Sequence, residues 1–311
     1  MKRIILAIVI LLVTPGCEGH PSIQEASIAY KVYKQRIILP FYPTFIVKDN
    51  LVEIWNDPIV NSLGDDPQWS SDGNWVTFST ARYSKLSRPD SSSIFILSAD
   101  GSKKFVVVNK GENYHPTWDP YGTRIAYDTG SKIWITDVSC FVEGKELCRS
   151  ESVFFVDGSN PDWSPNGEEI AFETNEHHIA VVSLNDPKKE ITDLTPNLEA
   201  FTPDWSPEGN KIVFSAYDMT KDSLDIFVLD IADTKLENLT KGIGINKVPK
   251  WTKDGERIVF ISSHRDELGN IIGLDDTVRS SAIYTVNPND LDLKRIGFNQ
   301  DEMVIWYSLL P

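Results

Sequence analysis

Apolar and polar positions alternate along this chain in short runs with a period of two, and no run carries a helical period. Residues 169–173 read Glu-Ile-Ala-Phe-Glu, which puts Ile170 and Phe172 on one face of a strand. The run recurs at regular distance, and each copy closes on an aromatic: Phe78, Tyr127, Phe172, Phe214 and Phe260. Nine residues before each aromatic stands a Trp (Trp69, Trp118, Trp163, Trp205, Trp251), preceded two residues earlier by a Pro. Four residues after each Trp stands a Gly (Gly73, Gly122, Gly167, Gly209, Gly255). Between Trp and the alternating run lies a turn. In Ser164-Pro165-Asn166-Gly167 the Pro presets φ and the Gly accepts positive φ. The residue directly after Trp is always Ser, Asp or Thr, whose side chain can bond a nearby backbone N–H.

A third strand is predicted in each unit, over 93–98, 132–138, 178–183, 225–230 and 282–287, each with an Ile near its start. A fourth follows, as at 104–108 and 153–156. The Trp-to-Trp steps are 49, 45, 42 and 46 residues. Four strands per unit at a period in the forties are propeller blades, with the Trp and Phe/Tyr between adjacent blades. Before the first unit, 36–41, 45–48 and 51–56 read as strands, the last like the third strand of a blade. After the fifth unit comes the apolar strand 303–308. Sharing these two ends in one blade predicts an all-β fold: a six-bladed β-propeller of four-stranded antiparallel blades. Its ring would be closed by pairing of the N- and C-terminal strands, with the C-terminal strand innermost. Five blades with flanking strands is the other reading.

Composition narrows the partners. The 311 residues carry 30 Lys and Arg against 45 Asp and Glu, a net charge of −15. That balance argues against nucleic acid and anionic membrane surfaces as primary partners. The repeats run nearly end to end, so 30–311 is expected to be one propeller domain. Residues 1–17 differ: Lys2 and Arg3 precede an apolar run over 4–13, too short to span a bilayer. Thr14-Pro15-Gly16-Cys17 resembles the cleavage box of bacterial lipoproteins. That resemblance implies a lipoprotein-type signal peptide, lipidation at Cys17, a polar tether over 18–29, and export to the periplasm or cell surface. In a host with two membranes it implies the outer membrane. Cys140 and Cys148 flank a short insertion between third and fourth strands, and in an oxidising compartment they are expected to form a disulfide.

The units Pro161-Asp-Trp-Ser-Pro-Asn-Gly and Pro203-Asp-Trp-Ser-Pro-Glu-Gly, followed by Ile170-Ala-Phe and Ile212-Val-Phe, resemble the repeats of TolB-type β-propellers. Ser263-His-Arg-Asp266 is similar to a Ser-x-Arg-Asp stretch in that family. The resemblance covers roughly residues 66–290 and implies the fold. TolB itself has an α/β domain ahead of its ring, whereas the residues ahead of the first unit here read as strands.

Chemistry is sparsely written. There is no phosphate-binding Gly-rich loop, no His-Glu-x-x-His, no Cys-x-x-Cys and no Gly-x-Ser-x-Gly elbow. No cofactor and no metal set are therefore expected. Asp266, Glu267, Asp275 and Asp276 match no known Ca²⁺-loop spacing. His177 and His178 read as solvated turn residues, and His115, beside Tyr114 at the start of an innermost strand facing the channel mouth, as a packed loop residue or a ligand contact. Gln68, Thr117, Asp162, Asp204 and Lys250, between Pro and Trp, read as the lining of a wet channel. The long loops 79–92 and 262–281 are expected on the same face as that mouth, where binding loops sit on a rigid scaffold. The expected function is a monomeric, non-enzymatic envelope lipoprotein that binds a protein or peptide segment through Tyr114, His115, Asn160, Phe201, Thr202 and Lys247. The alternative is a polysaccharide lyase-like enzyme or sugar sensor that uses the channel.

Overall fold

Each Pro-x-Trp unit folds as an antiparallel meander whose strands follow the apolar alternation. The structure, a computed structural model, describes the backbone of residues 28–34, 44–48, 51–55, 64–83, 89–145, 148–221, 223–242, 244–263, 282–296 and 302–309. Side chains are described for 66–79, 92–145, 148–221, 223–242, 244–262 and 283–294. The segment 1–17, the strand expected over 36–41, and residues 264–281 of the acidic loop lie outside the described residues.

Strands β1 (Ile28–Lys34), β2 (Thr44–Lys48) and β3 (Leu51–Trp55) precede the first unit. The first unit is β4 (Gly64–Trp69), β5 (Trp75–Tyr83), β6 (Pro89–Ser98) and β7 (Lys104–Val108). The second is β8 (Tyr114–Trp118), β9 (Arg124–Asp128), β10 (Lys132–Asp137), the one-turn helix α1 (Ser139–Val142) and β11 (Ser152–Asp157). The third is β12 (Ser159–Trp163), β13 (Glu169–Glu173), β14 (Ile179–Ser183) and β15 (Ile191–Asp193). The fourth is β16 (Ala200–Trp205), β17 (Lys211–Asp218), β18 (Ser223–Asp230) and β19 (Leu236–Asn238). The fifth is β20 (Ile245–Trp251), β21 (Ile258–Ser263), β22 (Ala282–Val286) and β23 (Leu293–Ile296), and β24 (Glu302–Leu309) follows. The end strands form a further four-stranded sheet in the order β24-β1-β2-β3. A single parallel pair, Leu224 with Ile245, joins the fourth and fifth meanders.

Three expectations change. The stretch over 51–55 takes the last place in its sheet, not the third, because β1 forms at 28–34, where a tether was expected to reach residue 29. The stretch 79–92 is mostly strand: Ala81 pairs with Ser92, Arg82 with Ser91 and Tyr83 with Pro89. Its polar sequence hid that extension, since a hairpin rising beyond the core needs only backbone bonds. The insertion in the second unit contains α1, a turn too short to leave a periodic signal.

Packing runs between neighbouring units. Trp118 and Tyr127 of the second unit pack with Trp75, Ile94, Ile96 and Val107 of the first. Trp163 and Phe172 of the third pack with Ile133, Phe155 and Val156 of the second, and the pattern continues through Trp205 and Trp251. All five third-strand isoleucines (Ile94, Ile133, Ile179, Ile226, Ile283) are fully buried. A buried Trp and aromatic in each unit contribute a few kcal/mol at about 25 cal/mol per Å². The turns after Trp nest on one another at one face: Tyr121 Oη donates to Asn166 O at 2.9 Å. The first residue after each Trp closes its own turn, as in Glu169 N donating to Ser164 Oγ at 2.9 Å and Arg124 N to Asp119 Oδ1 at 3.0 Å.

The Pro of each unit marks a β-bulge. In all five innermost strands the register gains one residue across it, between Asp65 and Gln68, Tyr114 and Thr117, Ser159 and Asp162, Phe201 and Asp204, and Lys247 and Lys250. A Pro offers no N–H to a ladder, and a bulge leaves a position where none is needed. The residue before each Pro is left-handed: Asp66, His115, Asn160, Thr202 and Val248 have φ between 47° and 54°. Such strain persists only where the surroundings over-determine it.

The units β4, β8, β12, β16 and β20 lie side by side in that order through their innermost strands, and β24 contacts both β20 and β4. Gly158 links the second and third units at φ 147°, and a Cβ there would meet Phe172 Cδ2 at 2.5 Å and Glu173 O at 2.8 Å. A buried ring and a backbone oxygen cannot both retreat. Gly158→Ala is therefore expected to cost about 2–4 kcal/mol, read from urea unfolding midpoints, whereas Gly122→Ala, with open space around it, should lose about 1 kcal/mol from its positive φ alone.

Candidate functional site

The bulges bring a chain of polar side chains together where the innermost strands begin. An innermost strand has no strand beside it toward the axis, so its outward N–H groups need other acceptors. Carboxylates of the preceding unit supply them. Asp128, at the end of β9, accepts Asn160 N through Oδ2 at 2.9 Å and Gly130 N through Oδ1 at 2.8 Å. His115 Nδ1 lies 2.7 Å from the same Asp128 Oδ2. His115 Nε2 is 3.8 Å from Asp66 Oδ2 of the first unit, which also accepts His115 N at 3.4 Å. Onward, Asn160 Nδ2 donates to Glu173 Oε2 at 3.0 Å, and Glu173 Oε1 lies 2.8 Å from His177 Nδ1. The His177 ring sits 5.3 Å from Phe201 of the fourth unit, and the Tyr114 ring 6.1 Å from that of His115. One connected row thus crosses four units.

Of the six residues expected to bind a partner, Tyr114, His115, Asn160 and Phe201 belong to this row. Thr202 follows Phe201 at φ 52°, with its Oγ1 buried and unpartnered among the described residues. Lys247 is exposed on β20, at the register position that Phe201 holds in the unit before it. Asp66, Asp128, Glu173 and His177 were missed by sequence reasoning. His177 is an exposed turn residue as expected, and its ring also meets Glu173. A signal existed in the repeat alignment. The position after the repeat aromatic holds Ser79, Asp128, Glu173, Ser215 and Ile261, and its acids fall in two adjacent units.

His115 is held as a cation. Burial by itself lowers its pKa, but the Asp66 charge, the Asp128 hydrogen bond and the Glu173 charge outweigh burial and raise it to about 9. Burial pushes the Glu173 carboxyl up, against the pull of His177, His115 and Asn160. Burial and the neighbouring Glu112 push the Tyr114 phenol up.

Deeper along the same strands, the residues between Pro and Trp do not simply line a wet channel. They stitch units together. Asp162 Oδ2 accepts Trp205 N at 2.8 Å, and Asp204 Oδ2 accepts Trp251 N at 2.7 Å. Lys250 Nζ binds Asp204 Oδ1 at 2.8 Å, and Thr117 Oγ1 donates to Asp162 Oδ1 at 3.5 Å. Trp118 Nε1 donates to Gln68 O at 3.2 Å. Burial and the Asp204 charge raise Asp162 to about 7, despite Lys250, the Trp205 N–H and Thr117. Burial also raises Asp204, with Lys250 and the Trp251 N–H opposing. Burial would lower Lys250, but Asp204 and Asp162 hold it above its ordinary value. Lys250 thus bonds Asp204 and acts on Asp162 through its charge alone.

Cys140 and Cys148 are joined by a disulfide, with Cα atoms 5.6 Å apart, at the rim of the second unit and away from this row. Among the described residues, no three His, Cys, Asp or Glu side chains converge as a metal-holding group. No helix among them is long and apolar enough to cross a membrane.

Two measurements test this electrostatic layout. A His whose folded pKa of about 9 exceeds its unfolded 6.5 stabilises fully below 6.5 and loses that contribution as pH rises through 9. The parent should therefore exceed His115→Gln by on the order of 2 kcal/mol near pH 6, and the gap should close above about pH 9; a gap independent of pH would contradict a charged His115. For Asp162 the folded pKa is also raised, so its contribution fades as pH rises from the ordinary carboxyl range through about 7. Asp162→Asn should gain on the parent between those limits. Asp204→Asn should instead lose about 3 kcal/mol, because Lys250 is left without its direct partner. Denaturant titrations across pH read both.

The family model described as the TolB beta propeller domain matches residues 146–303, just over half of the chain. Among solved structures, TolB from Acinetobacter baumannii is 14% identical, with a TM-score of 0.70 over 92% of this chain and 67% of that one. A chain of a nidogen–laminin complex is 9% identical, with a TM-score of 0.61 over 92% and 98%. An oligogalacturonate lyase from Vibrio parahaemolyticus is 10% identical, with a TM-score of 0.52 over 90% and 74%. No curated protein sequence matches the chain at a significant level.

Proposed function

The chain belongs to the TolB β-propeller family, and from that premise we propose that it is a non-enzymatic, monomeric protein-binding scaffold of the cell envelope. The ring in this reading has six blades, the sixth built from β24 with β1, β2 and β3. Support comes from the pairing of β24 with β1 over the length of β1 and from the place of β24 beside β4 and β20. Lipid at Cys17 would tether the ring to a membrane, with residues ahead of β1 as the leash.

The observation that carries the binding assignment is the row from Asp66 to Phe201. It sets two partly exposed aromatics, Tyr114 and Phe201, on either side of hydrogen-bonded acids fixed by strained bulges. Rigid aromatics supply contact area at low entropic cost, and preorganised polar groups reduce the ordering that binding requires. Three carboxylates against His115 and His177 suit a partner segment rich in N–H donors. The nidogen–laminin likeness adds that a ring of this shape occurs in a protein complex.

In-cell crosslinking of a tagged copy, then purification of the membrane fraction and mass spectrometry, should recover one or two envelope proteins at near-stoichiometric yield. Tyr114→Ala with Phe201→Ala should abolish that capture with little change in melting temperature. Capture that survives the double change would move the site elsewhere.

A second reading, a polysaccharide lyase-like enzyme, draws on the likeness to the oligogalacturonate lyase and on the cationic His115 and Lys250 near the axis. It requires an ultraviolet absorbance rise from unsaturated uronides when the chain meets uronate polymers with added divalent metal, and loss of that rise in His115→Gln.

A further inference from the structure

A cavity of about 570 Å³ opens between the first and second units. That volume lies in the range of small-molecule sites. Its apolar wall is Val107 of β7 with Tyr127, Trp134 and Phe141 of the second unit. Trp134 Nε1 is buried and has no hydrogen-bond partner among the described residues. Trp134 therefore meets the space with the apolar part of its indole, its N–H lying inside the wall.

The rim is cationic. Lys110 and Arg149 both line the cavity, and both side chains are exposed without an ion pair among the described residues. No described lining residue is acidic, although 45 of the chain's 311 residues are Asp or Glu. Two cations with no ion pair and no acidic lining residue among the described residues, on a chain of net charge −15, single this spot out electrostatically. The rim is also built to hold its shape. Cys148 stands in the wall and its disulfide to Cys140 ties Arg149 to the helix bearing Phe141. Next along the chain, Ser150 Oγ donates to Val107 O of the first unit, closing the loop across the gap.

We propose that this cavity binds small organic acids, with the carboxylate at Arg149 and Lys110 and an aromatic or aliphatic body against Tyr127, Trp134 and Phe141. Arg supplies a planar fork matched to a carboxylate, and Lys a second point charge. The apolar wall takes a body that polyphosphates and free sugars lack. The assignment is independent of the protein-binding reading, since no residue is shared with the mouth row.

The test uses the full chain with hydrocinnamate and octanoate as probes and hydrocinnamamide as the neutral counterpart, followed by calorimetry and ligand-observed NMR. Both acids should saturate one site, and hydrocinnamate should bind about tenfold tighter than its amide, the worth of one charge-assisted contact. Lys110→Gln with Arg149→Gln should erase that preference without moving the melting temperature, because neither side chain has a partner to lose among the described residues. Trp134→Phe should weaken acid and amide alike. No saturable binding of either acid, equal affinity for acid and amide, or an unchanged preference in the double variant would each overturn the proposal.

Discussion

A meander that packs face to face with its neighbours still has one unmet requirement: the N–H groups of its innermost strand point where no strand runs. The rest of the structure depends on how those groups are satisfied. Asp162 and Asp204 reach from one unit to the backbone of the next, capping Trp205 N and Trp251 N. Nearer the mouth, Asp66 and Asp128 do the same for His115 N and Asn160 N. Each of these acids is drawn into a site poor in water, where a bare carboxylate would be costly. The N–H caps, Lys250 and His115 offset that cost, and the residual strain appears as raised proton affinities at Asp162 and Glu173.

The apolar and polar contributions divide the work by radius. Trp, Phe and Ile clusters fill the wedges between sheets and hold units together without directional demand. The carboxylate stitches act along the innermost strands and tie one unit to the backbone of the next. The bulge before each Pro connects the two, because its extra residue turns the backbone N–H of the residue before Pro toward the neighbouring unit. His115 and Asn160 make cross-unit bonds from that position, so the feature that solves a backbone problem also builds the mouth surface.

The outcome is a scaffold with two polar regions of opposite character. The mouth concentrates acids around a held imidazolium, in keeping with the chain's overall charge. The rim cavity between β7 and β11 carries Lys110 and Arg149 beside aromatic side chains and no described acid. Loops and insertions distinguish one unit from another, while the repeat sets the frame they stand on. The insertion with α1 and its disulfide illustrates this: it adds a wall to the second unit.

The sequence by itself determined the repeated meander. Period-two alternation, the turn residues and the spaced aromatics specify strands such as β7 and β13 residue by residue, because local propensity and burial pattern agree there. It also marked Tyr114, His115, Asn160 and Phe201 as neighbours of the axis, since position in the repeat fixes height along the strand. Tertiary structure alone decided who their partners are. Asp128 looks like a strand-end acid until the bulge of the next unit presents Asn160 N to it, and Glu173 until Asn160 Nδ2 and the turn residue His177 reach it within its own unit. The pairing of Asp162 and Asp204 with backbone some 43 to 47 residues away, the exposed pair Lys110 and Arg149, and the strand at 28–34 are set by which elements become adjacent, and adjacency between units is a property of the packed chain rather than of any segment.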